Sequence, residues 1–209
     1  MDLTVAAEVG IDRFNDLLVG GGFTARSGPS GGRRHTLSAV ATRERTLADS
    51  VAPGMRLLVC GVNPSPYSAD AGIGYARPGN RFWPAALAAG VAPVDRDPVA
   101  ALGWGLGMTD FAKPATSTAA EVTRDEYGSG LTRVGRLVEW LTPGAVCFVG
   151  LSGWRTVVDR HAVAGVQPTL IGGRPAYVMP STSGLNARTS LAELAGHLRA
   201  AWDLAGRAN

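Results

Sequence analysis

Two stretches of this chain concentrate residues able to do chemistry. The first runs Gly61-Val62-Asn63-Pro64-Ser65-Pro66-Tyr67-Ser68 and continues as Gly72-Ile73-Gly74-Tyr75-Ala76-Arg77-Pro78-Gly79-Asn80-Arg81-Phe82-Trp83. It combines a side-chain amide, several hydroxyls and an aromatic ring with glycines and prolines that fix the backbone and expose its N–H groups. Such a loop can hold an anion and stack a flat ring. An ordinary strand-to-helix loop with a phosphate nest has the same composition. The second stretch is Met179-Pro180-Ser181-Thr182-Ser183-Gly184-Leu185-Asn186-Ala187-Arg188. Its hydroxyls and the amides of a following helix suit phosphate oxygens, and a leucine exposed among them suits insertion into a stack of bases. By itself it also reads as a Ser/Thr cap series with Leu185 packed on the helix below. Neither stretch holds Gly-x-Gly-x-x-Gly or a Walker lysine, which weighs against dinucleotide and nucleoside-triphosphate enzymes.

Both stretches follow directly after predicted strands. Residues 56–62 form a continuous apolar run after Pro53-Gly54, the mark of a buried parallel strand. Further strands are expected at 103–109, 145–149 and 169–179, the last with a turn at Gly172-Gly173. Helices are expected at 11–18, 80–89, 126–141, 151–161 and 190–204. The alternation implies a three-layer α/β/α domain with a central, mainly parallel four-stranded sheet covered on both faces. In such sheets ligands collect at the carboxyl ends of the strands, where both stretches lie. The domain is expected to span 46–209. Residues 1–45 read as an N-terminal extension, partly flexible and basic: between Thr24 and Arg45 stand Arg26, Arg33, Arg34, Arg43 and Arg45 against Glu44 alone. That segment is either an arm touching phosphates or a solvated surface loop.

Composition narrows the class further. Hydrophobic residues make up 45% of the 209, which supplies a core and excludes wholesale disorder. The net charge of +3 is too small to identify a partner. Cys60 and Cys147 sit in apolar runs, as buried thiols in a reducing compartment do. No Cys/His spacing suggests zinc or an iron–sulfur cluster, so no metal and no cofactor are expected. There is no secretory signal and no apolar run long enough to span a membrane, so a cytoplasmic bacterial protein is expected.

Taken together, the two stretches resemble the motifs of the mismatch-specific uracil/thymine DNA glycosylases, the second family of the uracil-DNA glycosylase superfamily. Gly61-Val62-Asn63-Pro64 is similar to that family's first motif, and Pro78-Gly79-Asn80-Arg81-Phe82-Trp83 to its hallmark at the same spacing. Residues 181–188 are similar to its intercalation loop, and the likeness extends over roughly residues 44–205. The resemblance implies that Asn63 positions the attacking water and that Tyr75 stacks on the extruded base. It places Val62 and Ser68 beside the pyrimidine, and Ser181 at the pocket and the phosphate near the target nucleotide. Gly184, Leu185 and Asn186 are implied as the wedge, with Ala187 and Arg188 reading the widowed guanine. Ser65 and Pro66 depart from the family pattern: the Cβ of Ser65 is expected to stiffen the loop, and Pro66 to change the backbone N–H groups that face the base.

That resemblance implies a monofunctional glycosylase that flips uracil, thymine or ethenocytosine from G-mismatched duplex DNA and hydrolyses the bond to the sugar in base excision repair. The partner is then double-stranded DNA with G:U or G:T mispairs, and a monomer is the simplest expectation. Cleaving an N-glycosidic bond builds positive charge on the sugar and negative charge on the base, so a placed water and donors to the anion are required. Asn63 can orient water but cannot deprotonate it at neutral pH. Asp70 reads as a turn or cap residue and Lys113, the single lysine, as a surface or phosphate-contacting side chain rather than a Schiff-base nucleophile. The competing readings are a superfamily member with single-strand preference, a non-catalytic damaged-DNA-binding module, and a Rossmann-like nucleotide enzyme.

Overall fold

A computed structural model describes residues 1–26, 30–31 and 36–206. The N-terminal part comprises β1 (Asp2–Ala6), α1 (Ile11–Gly20), β2 (Phe23–Ala25), β3 (Ser30–Gly31) and β4 (Thr36–Arg43). Strands β1, β2 and β3 all pair antiparallel with β4. The described part of 1–45 is thus mostly regular structure. Phe14 and Leu18 of α1 are buried against Leu37, Ala39 and Ala41 of β4, which alternate along the strand as a half-buried sheet requires. The alternation in β4 is short and rich in Ala, Ser and Thr, so it gives little hydrophobic signal in the sequence. Arg33 and Arg34 of the expected basic arm, with residues 27–29, 32 and 35, lie outside the described residues. Arg26 donates to Thr42 Oγ1 at 3.0 Å, and Arg43 to the carbonyls of Gly21 and Gly22.

The remainder contains β5 (Leu57–Gly61), α2 (Pro66–Ala71), α3 (Phe82–Ala88), α4 (Pro98–Gly103), β6 (Leu106–Asp110), α5 (Arg124–Leu141), β7 (Ala145–Val149), α6 (Leu151–Val157), β8 (Gly165–Ile171), β9 (Arg174–Met179) and α7 (Leu191–Gly206). Its sheet runs β6-β5-β7-β9-β8, parallel across the first four strands and antiparallel at β8. The four-stranded expectation is short by one because residues 165–179 are a hairpin rather than a single strand. Gly172 and Gly173 take positive φ of 51° and 75°, the geometry of a two-residue hairpin turn, and Ile171 pairs with Arg174.

Period two explains why the sheet is covered on both sides. Leu57 and Val59 of β5 pack with Cys147, Trp83, Leu194 and Leu198 in one core. Leu58 and Cys60, pointing the other way, pack with Phe148, Val134, Val138 and Trp154 in the second. Helices α3, α4 and α7 therefore close one face, and α5 and α6 the other. Among the described residues no helix is long and apolar enough to cross a membrane.

A buried charge cluster joins the segment after β4 to this domain. Asp49 takes Lys113 Nζ at 2.5 Å and Arg133 Nη1 at 2.7 Å, and Thr109 Oγ1 donates to it at 2.7 Å. Arg133 Nη2 donates to Thr109 Oγ1 and to the Asp110 carbonyl, at 2.8 and 2.9 Å. Burial alone would raise the pKa of Asp49, but Lys113 and Arg133 outweigh it and hold the carboxyl below its usual value. Removing the anion strands two buried cations, which costs about 3–5 kcal/mol. Asp49→Ala is therefore expected to lower the calorimetric unfolding midpoint by roughly 10 °C, at about 2–4 °C per kcal/mol for a chain of this size; an unchanged midpoint would show that the cluster contributes nothing.

Candidate active site

An open cleft of about 1060 Å³ lies at the carboxyl ends of β5, β6 and β9. Val62, Asn63, Ser68, Tyr75, Ser181, Leu185 and Asn186 all line it, so the two motifs meet at one rim of the sheet. Gly184, Ala187 and Arg188 are exposed on the same loop, outside the lining. Thr46, Leu47 and Asp49 supply a further wall from the segment leading into the domain. A second crevice of about 730 Å³, lined by Asp12, Arg13, Asp16, Arg136 and Trp140, holds none of the motif residues. Among the described residues no group of three or more His, Cys, Asp or Glu side chains is arranged to hold a metal ion.

Asn63 is fixed by its nitrogen. Nδ2 donates to Thr116 Oγ1 at 2.7 Å and to the carbonyls of Pro64 and Pro114, each at 3.3 Å. Thr116 spends its own proton on the Thr118 carbonyl at 2.8 Å and so faces Asn63 as an acceptor. Three acceptors around one end of an amide define that end as nitrogen. Oδ1, which only accepts, has no hydrogen bond to another described group and is left for the cleft. The amide is thereby set so that its oxygen can orient a water molecule by accepting a hydrogen bond from it.

Tyr75 and Ser68 are held as firmly. Tyr75 takes a left-handed backbone, φ 59°, and its ring stacks on Phe82 with centroids 4.1 Å apart. Tyr75 also lines the cleft. Trp83 Nε1 donates to the Gly74 carbonyl at 2.8 Å and pins the same turn. The Tyr75 hydroxyl is buried without a hydrogen-bond partner, and burial pushes its pKa well above the ordinary value. Ser65 caps α2 by accepting from Ser68 N at 3.2 Å, which removes the Ser68 amide from any anion site. Ser68 Oγ accepts from Ala76 N and Ser65 Oγ, each at 3.2 Å, and keeps its own proton to donate.

Asp110 is the residue that motif reading missed. It ends β6 in register with Gly61 and lines the cleft. A Cβ at Gly61 would collide with Asp110 Oδ1 and approach the Tyr75 hydroxyl at 3.0 Å, so glycine there lets the carboxyl and the phenol close on the strand end. Burial raises the Asp110 pKa to about 6; Lys113, with Nζ 4.0 Å away, and Arg133 oppose the rise, and Asp49 adds to it. Asp49, the other carboxylate lining the cleft, is committed to Lys113 and Arg133. The available signal was position: an acid at the carboxyl end of a strand in a parallel sheet.

Two other charged groups resolve plainly. Asp70 is exposed and forms a forked pair with Arg45, at 2.8 and 2.5 Å, turned away from the cleft. Lys113 is buried, ion-paired to Asp49 and donating to the Leu47 carbonyl at 2.9 Å. It is a structural cation inside the fold, and neither a surface lysine nor a free amine facing the cleft.

The loop after β9 presents Leu185 at the lip of the cleft, 90% exposed, so it does not pack on the helix below. Asn186 is turned inward, donating from Nδ2 to the Ser181 carbonyl at 2.8 Å and to Thr189 Oγ1 at 3.2 Å. Ser181 Oγ accepts from Ser183 N at 3.2 Å. An unsupported apolar side chain beside a cleft with a held amide and a ring is chemistry for a flat group taken out of a stack. The family model of the uracil DNA glycosylase superfamily matches residues 48–205, more than half of the chain. The chain belongs to the uracil DNA glycosylase superfamily.

Proposed function

We propose that this protein is a monofunctional, mismatch-directed glycosylase that removes uracil, and related pyrimidines, opposite guanine in duplex DNA. The observation that carries this reading is a single cleft with the nitrogen-anchored Asn63 inside and the exposed Leu185 at its lip. An enzyme acting only on single strands has no use for a side chain that fills a vacated stack. Lys113, buried in an ion pair, supports a reaction without Schiff-base formation.

In this reading Leu185 occupies the gap left by the flipped nucleotide, and Tyr75, backed by Phe82, stacks on the base. Ser68 donates its free proton to a pyrimidine oxygen. Ser181 meets the phosphate beside the target, and Ala187 and Arg188, exposed next to the wedge, face the widowed guanine. Asn63 Oδ1 orients water toward the sugar carbon as that carbon becomes cationic. Asp110, ionised above about pH 6, supplies the proton acceptor that an amide cannot provide. The water oxygen bonds to the sugar, the N-glycosidic bond breaks toward the base, and the base leaves as an anion that is then protonated.

Single-turnover release from duplexes carrying U:G, T:G, U:A and ethenocytosine:G, with single-stranded uracil DNA alongside, tests the whole reading. Fastest release from U:G is expected; faster release from single strands would favour the single-strand-preferring alternative. Asn63→Ala is expected to lower release by at least ~100-fold, within the range of a lost positioning or proton-transfer group, while U:G binding stays near that of the parent. Undiminished release by that variant would refute the role given to Asn63. The pH profile isolates Asp110. Because its pKa is raised to about 6, the acceptor form is lost as pH falls through that value, and release should decline on that acid limb. Asp110→Asn should slow release above pH 6 and flatten the limb; an unaltered limb in that variant would remove Asp110 from the chemistry.

A further inference from the structure

Besides the loop's own hydrogen bonds, one side chain of the other motif ties the wedge loop together from outside. Between the end of β9 and α7 the chain has no regular structure of its own, yet three of its carbonyls converge on the Arg81 guanidinium. Nη1 donates to the Thr189 carbonyl at 2.6 Å, and Nη2 donates to the Asn186 carbonyl and, at 3.4 Å, to that of Ser183. The Arg81 backbone N–H adds a bond to the Thr182 carbonyl at 2.9 Å. The two motifs touch so closely that a Cβ on Gly184 would lie 2.8 Å from the Gly79 carbonyl. Leu185, at the tip, has almost no packing of its own.

A leucine standing in water has no local force holding it there, so the loop must be braced from behind. Acceptors at 183, 186 and 189 span nearly the whole loop, and a planar fork with several fixed donors reaches all three. Lysine, with one compact ammonium group, cannot reproduce that spread. We infer that Arg81 is the positioning residue for duplex opening: it holds the Leu185 loop in its inserting shape before DNA arrives, so that ordering the loop does not have to be met during flipping. The inference rests on the glycosylase reading for its consequence in catalysis, but its structural half stands apart from activity.

Two measurements test it. Hydrogen exchange on the free protein reads the loop directly. Arg81→Lys is expected to speed exchange at residues 183–189 while β5 and α7 keep the parent protection; unchanged exchange in the loop overturns the inference whether or not the protein is active. Single-turnover uracil release then reads the consequence. Arg81→Lys and Arg81→Met should each slow release from U:G duplex about tenfold or more, the scale of one lost charge-assisted hydrogen bond. On single-stranded uracil DNA, where no stack need be opened, the loss should be no more than about twofold, as for a surface change remote from the chemistry. Adding Leu185→Ala should cost the Arg81→Lys enzyme little more, since both act on one device. Equal losses on the two substrates, or full additivity with Leu185→Ala, would overturn it. A parent enzyme that releases uracil from neither substrate defeats the glycosylase reading instead, and leaves the exchange result to decide the role of Arg81.

Discussion

One amide nitrogen decides what the cleft can do. Asn63 Nδ2 is enclosed by the oxygens of Thr116, Pro64 and Pro114. Rotating the amide would set an acceptor against acceptors, so the oxygen is the end left without a partner among the described residues. Two of those partners arrive from more than fifty residues away along the chain. They are brought in by the parallel pairing of β5 with β6, continued by bonds from Phe111 N and Ala112 N to the carbonyls of Gly61 and Val62. The setting of the amide is thus a consequence of sheet register, and a one-residue slip between those strands would separate Asn63 from Thr116.

The rest of the site is organised by four consecutive residues. Asn80 accepts from Phe82 N at 2.9 Å and shapes the start of α3. Arg81 braces the wedge loop, Phe82 backs Tyr75, and Trp83 is buried in the core while donating to Gly74. A short helix anchored by two buried aromatic rings therefore supports both Tyr75 and the loop that carries Leu185. The charge cluster of Asp49, Lys113 and Arg133 does the corresponding work on the opposite wall, fixing Asp110 through the segment it shares with Thr109.

Much of this was legible in the residues. The apolar runs and amphipathic helices gave the three-layer domain because burial on both faces leaves a period that is easy to read, and Asn63, Tyr75 and Leu185 sit in local motifs. What was hidden depends on distance or on backbone. Asp110 and Thr116 acquire meaning only when β6 lies beside β5. The partners of Arg81 are carbonyls, which carry no side-chain signature. Lys113 reads as a surface residue until Asp49 is placed beside it. The hairpin of β8 and β9 hid inside one apolar run because its turn consumes two glycines only, and the Ala/Ser/Thr-rich strands of the N-terminal sheet are too weakly patterned to stand out.

Directional control of the Asn63 amide is tested most directly by comparing Thr116→Val with Thr116→Ser in single-turnover uracil release from a U:G duplex. Valine keeps the shape of threonine and removes the acceptor, whereas serine keeps the acceptor. Release should fall by up to about tenfold with valine, the net worth of the shortest of the three hydrogen bonds that hold Nδ2, with duplex affinity unchanged and serine close to the parent. Parent-level release by the valine enzyme would contradict the fixed amide on which the site is built.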